Sequence, residues 1–150
     1  MDLEAYLLAN LETAMTCLEG QGYRTKENPF SLILLAKSNQ NALVIRKRRA
    51  MRSNRGLAPI LLAHFLAGWK AGFDNQDKIT PREQGVPIRA HELGMGIDDT
   101  GDSEVILRKG GMTIISFDKR GSLKREDLAR HLFELAIIGY VKGKKAAANS

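Results

Sequence analysis

The sequence predicts an α+β domain: a mainly antiparallel sheet built from two β-hairpins, with about three main helices packed on it. Three observations predict it. Two pairs of short apolar runs are joined by turn residues, "SNQN" at 38–41 and "GG" at 110–111. Three longer segments repeat apolar residues at helical spacing. The length of 150 residues, with 43% hydrophobic and 27% charged residues, suits one folded domain better than a disordered chain.

Residues 2–18 place Leu3, Leu7, Leu11, Ala14, Met15 and Leu18 on one helical face. Asp2 and Glu4 fall in the first turn, where the helix dipole favours acids, and Gly20 and Gly22 close it. Cys17 is expected on the apolar side, as an inert thiol. The run "SLILLAK" reads apolar on both faces, as a central strand does. The run "ALVIRKR" begins apolar and ends basic, so its far end should leave the sheet. Residues 57–72 are apolar nearly all round and predict a buried helix, with Pro59 in its first turn. His64 and Trp69 are then core residues.

The tetrad "TPRE" at 80–83 reads as a capping box, with Thr80 as N-cap, Pro81 at N1 and Glu83 at N3. Gly85 and Pro87 keep that helix short, "IRAHEL" adds a further helical turn, and "GMGIDDTGDS" reads as a loop. A second hairpin, "EVILRK" and "MTIISFDK", turns at Gly110-Gly111. Ser122 N-caps a last helix, "LKREDLARHLFELAIIGYV". Residues 1–141 form one globular domain, and 142–150 form a flexible basic tail. The two hairpins resemble one another, each an apolar pair ending in a basic cluster, which points to an internal repeat.

The net charge of +6 is distributed in blocks: −4 over residues 1–23, +9 over 24–73, −5 over 74–104 and +6 over 105–150. Such a dipolar surface suits a polyanion partner or self-association through opposite patches. The densest basic stretch is "RKRRAMRSNR", residues 46–55. Backbone phosphates require a row of cations, and Arg grips them bidentately. The expected nucleic-acid ligands are Arg46, Lys47, Arg48, Arg49, Arg52 and Arg55, helped by Lys119, Arg120, Lys124 and Arg125 after the second hairpin. Tyr23, Phe30, Phe73 and Phe117 are the candidates for base stacking, although most such rings belong to the core. No recognition-helix, zinc-finger or RNA-recognition pattern is present, so backbone contacts are expected over sequence readout.

The expected function is therefore a small non-enzymatic nucleic-acid-binding protein, DNA or RNA. The alternative is a subunit or adaptor of a larger assembly that docks through charged patches, as a homo-oligomer or with an acidic protein. A third reading is a metal-dependent nuclease. The order helix–hairpin–helix is similar to the core of the restriction-endonuclease-like superfamily, which places an acid before a hairpin and acid-x-Lys at the end of its second strand. The resemblance implies Asp102 or Glu104 and the run Asp118-Lys119-Arg120 as the metal site, with Arg where Lys is expected. In the first hairpin the corresponding second-strand positions hold Arg46 and Arg48 and no acid lies at the start of the first strand, so that copy is expected to have no metal chemistry.

Other chemistries lack their residues. The acids Asp98, Asp99, Asp102 and Glu104 do not follow EF-hand spacing and read as an acidic turn. The run "GIDDT" resembles a motif of tRNA-modifying agmatidine synthetases, over five residues only. His64, His91 and His131 have no zinc spacing, and neither a nucleophile elbow nor a Walker loop is present. No cofactor is expected. The single Cys, Cys17, allows no intrachain disulfide and points to a reducing, cytoplasmic compartment. In a eukaryote "RKRR" would also serve as a nuclear address. The N-terminus lacks the Lys or Arg of a secretory leader. The longest apolar run, "GLAPILLAHFLAGW", is too short for a bilayer, so no integral membrane association is expected.

Overall fold

The computed structural model describes residues 3–47, 57–82, 85–118 and 125–149. The class is α+β. Two three-stranded antiparallel sheets alternate with four helices: α1 (Leu3–Gly20), β1 (Arg24–Glu27), β2 (Ser31–Leu35), β3 (Asn41–Arg46), α2 (Leu57–Phe73), α3 (Val86–Glu92), β4 (Gly96–Asp98), β5 (Glu104–Lys109), β6 (Met112–Asp118) and α4 (Arg125–Ala148). Both expected hairpins form. Each gains a third strand, and among the described residues they lie in separate sheets, ordered β1–β2–β3 and β4–β5–β6.

This order repeats. Helix, three-strand meander and closing helix occur twice, as α1-β1-β2-β3-α2 and α3-β4-β5-β6-α4. Equivalent rungs can be read across the two sheets. Lys26 pairs Ile33 and Ile33 pairs Val44, while Asp98 pairs Ile106 and Ile106 pairs Ser116. Each hairpin carries one bulge, at Leu34/Leu35 and at Leu107/Arg108.

The turns follow from their residues. The Asn28 side-chain oxygen accepts the N–H groups of Phe30 (2.9 Å) and Ser31 (2.8 Å), which reverses the chain between β1 and β2. Asn39 supplies the positive φ (64°) between β2 and β3. Gly110 and Gly111 (φ 59° and 81°) make the two-residue turn between β5 and β6 that needs left-handed backbone at both positions.

The two closing helices form the centre of the molecule, and theirs is its largest helix interface. The reason is a pair of matched glycine motifs. A Cβ added at Gly68 or Gly72 of α2 would collide with the carbonyl oxygen of Ala136 or Tyr140. A Cβ at Gly139 or Gly143 of α4 would collide with that of Phe65 or Trp69. Both series advance together, so α2 and α4 run parallel with backbones in direct contact, as glycines four residues apart allow. Leu61, Phe65, Leu132 and Tyr140 seal the flanks, each at most 2% exposed.

Four sequence expectations change here. Residues 142–148 continue α4 instead of forming a tail: Gly143 seats the helix on Trp69, and Lys144 Nζ donates to Gln21 Oε1 at 2.7 Å. The "TPRE" cap does not open a helix at Thr80. Instead α3 starts at Val86 behind Gly85, whose φ of 78° sets the entry, with Pro87 in its first turn; Glu83 lies outside the described residues. Cys17 is exposed, because α1 turns Leu7, Ala14 and Leu18 inward and leaves residue 17 on the flank of that stripe, about a quarter-turn away. The acidic loop contributes a strand, β4. His64 and Trp69 are buried as expected, and His64 Nδ1–H donates to the Ile60 carbonyl at 2.9 Å. No helix among the described residues is long and apolar enough to cross a membrane.

Candidate nucleic-acid interface

The described part of the basic stretch sits at one end of the first sheet. Arg46 ends β3 opposite Ser31 and is exposed. The Lys47 N–H donates to the Phe30 carbonyl at 2.9 Å, which ties the departing strand to the β1–β2 turn. The Asn28 turn aims Phe30 outward, where it is 70% exposed. Of the four aromatic candidates it alone has this exposure. Tyr23 is buried and shares a 3.0 Å hydroxyl contact with Tyr140, Phe117 is 1% exposed, and Phe73 is half-buried and stacks on Trp69 at 5.0 Å. The exposed ring and the exposed Arg thus mark the same end of the sheet, Arg46 opposite Ser31 and Phe30 one residue before it; a stacking ring near a cation suits a single strand.

Lys47 contributes less than expected. Its ammonium lies 3.1 Å from Glu27 and is only 19% exposed, so its charge is already met. Arg48, Arg49, Arg52, Arg55, Lys119, Arg120 and Lys124 lie outside the described residues; Arg125 opens α4.

A second concentration of cations escaped the sequence. Lys70 of α2, Lys78 and Arg82 of the connecting segment, and Arg89 of α3 line one open pocket of about 480 Å³, with Glu92 the carboxylate in its wall. That volume is within the usual range for small-molecule sites. Lys78, Arg82 and Arg89 are all the basic residues of the block whose sum is −5. Averaging over that block hid them, because half of its eight acids fall between Asp98 and Glu104, in β4, the loop after it and the start of β5. Lys70 also has Asp74 at 3.7 Å, an exposed helical pair worth little against a stronger anion.

The sequence and fold of this chain match no known protein family, no curated protein and no solved structure. The nuclease reading finds Glu104 and Asp118 directly across from each other on β5 and β6, and Asp102 exposed before them. Among the described residues no group of three His, Cys, Asp or Glu is placed to hold a metal ion. Asp98 is engaged locally, with its carboxylate accepting the Thr100 hydroxyl at 2.6 Å and standing 3.9 Å from Arg108.

Proposed function

We propose that the protein binds nucleic acid through backbone phosphates, with Phe30 as a stacking platform beside Arg46. The observation that carries this reading is the exposure of Phe30 at the point where the basic stretch leaves the sheet. The pocket of Lys70, Lys78, Arg82 and Arg89 supports it as a further phosphate site. Single strands are favoured over duplex, because a stacking ring needs an unpaired base. Fluorescence anisotropy with labelled oligonucleotides at about 50 and 200 mM salt tests it, the range over which phosphate contacts respond. Phe30→Ala should cost about 1–3 kcal/mol on a single strand and little on a duplex. Arg46→Ala should weaken every sequence alike and lower the salt slope by about 1. Unchanged affinity and slope in both variants would overturn the proposal.

A second reading, a subunit of a protein assembly, is favoured by the outer faces of the two sheets. Ile33, Leu35 and Ile106 are partly exposed there, away from the core that the inner faces form with the helices.

A further inference from the structure

The strand registers place Arg24, Lys26, Ile33, Leu35, Val44 and Arg46 on the outer face of the first sheet. The same registers place Asp98, Glu104, Ile106, Arg108, Ser116 and Asp118 on the outer face of the second. At two equivalent positions the charges are opposite. Lys26 corresponds to Asp98, and Arg46, opposite Ser31, corresponds to Asp118, opposite Glu104. Only the central isoleucine is kept, Ile33 in one sheet and Ile106 in the other. Each is partly exposed at the middle of its face.

Each face thus has an apolar centre and a charged rim, the anatomy of a protein interface. The rims have opposite sign. Glu104 and Asp118 are direct cross-strand partners, so two carboxyl groups stand together at one end of this face. Among the described residues Arg108 is the one cation on the acidic face, and it already neighbours Asp98 at 3.9 Å.

We infer that the occupant of each face is a second copy of this chain: the basic sheet face of one copy docks on the acidic sheet face of the next, Ile33 over Ile106. The contact is heterologous, so it builds a closed ring or an open filament, not a two-fold dimer. It shares only Arg46 with the nucleic-acid reading, since neither Phe30 nor a residue of the cationic pocket lies on either face, and Arg24 and Lys26 test it without touching Arg46.

Sedimentation velocity on nucleic-acid-free protein provides the test, with two variants. R24E/K26E makes both faces acidic, and E104K/D118K makes both basic. The wild type should show mass increasing with concentration at about 50 mM salt and monomer at about 500 mM, where surface charges are screened. Each variant alone should remain monomeric at both salts. An equimolar mixture of the two should assemble again, which also proves both folded. A wild type that stays monomeric at low salt, a variant that assembles alone, or a mixture that does not assemble would each overturn the inference. Loss of assembly with oligonucleotide binding intact, or the reverse, separates this inference from the nucleic-acid proposal.

Discussion

Lys26 and Asp98 occupy corresponding places on the edge strands of two sheets built alike, and they carry opposite charges. The inner faces of those sheets are conservative by comparison: Leu43 and Ile45 in the first half match Ile115 and Phe117 in the second, all buried. The two sheets are therefore alike in these buried residues and opposite in charge at two exposed ones. The helices leading into the sheets differ too. α1 runs for 18 residues, whereas α3 has 7 and leaves room beside α2 for the cationic pocket. One half became longer and basic on its sheet; the other became shorter, acidic on its sheet and basic at its helix.

The strongest way to break the link between the halves is at the glycines that join them. Gly68→Ala should cost about 3 kcal/mol or more, since its Cβ meets backbone that cannot rotate away. Gly20→Ala, where an added Cβ meets nothing, should be near neutral; urea unfolding of the two variants checks the contrast. Next in size is the hydroxyl pair that pins the start of β1 to α4. Tyr23→Phe leaves the buried Tyr140 hydroxyl without that partner and should cost about 1–3 kcal/mol in the same assay.

Turn chemistry sharpens the comparison further. Gly110→Ala should cost about 1 kcal/mol in the second hairpin, where φ is 59°. Asn39→Gly in the first should change stability by only a few tenths of a kcal/mol, because Asn already tolerates φ of 64° and glycine adopts it freely.

The smallest effects are pH-dependent and opposite in the two closing helices. Burial holds His64 of α2 below its ordinary value of 6.5, despite the hydrogen bond to Ile60 that favours the charged ring. The unfolded chain then binds the proton first, so stability is full above pH 6.5 and declines as pH falls below it. Burial raises Glu134 of α4 above its ordinary 4.5, and nearby His131 and Arg130 oppose the shift. For a carboxyl raised on folding, stability is full below pH 4.5 and is lost as pH rises through the folded value. Thermal melts across pH 4–8 should therefore show His64→Gln flattening the slope just below pH 6.5. Glu134→Gln should stabilise at neutral pH and not at pH 4.

Much of the frame was legible because alternating or helical apolar patterns mark it: both hairpins, the buried α2, and most of α1 and α4. The Gly110-Gly111 turn and the hairpin resemblance were visible for the same reason. β1 was not, because "RTKE" is exposed along its whole length and takes its place only by pairing with β2. β4 has three residues, opens on Gly96 and leans on β5 in the same way. The end of α4 was misread because its Lys-rich composition suggests a tail; the decisive residue is Gly143, whose missing side chain acts only through Trp69 of another helix. At the candidate interface Phe30 and Arg46 were both named from the sequence. Their adjacency depends on the Asn28 turn and the Lys47–Phe30 hydrogen bond, and the four pocket cations come from three separate segments.

The parallel pairing of α2 and α4 also sets an order of events during synthesis. Between them in the chain lie α3 and the entire second sheet, so the glycine stripe of α2 has no cover until everything up to Gly143 has been made. Contacts so distant in sequence close slowly, because the loop between them must be ordered before they form. Until then the first half presents an apolar helix to its surroundings, and the nascent chain passes through a stage at which its most buried element is its most exposed one.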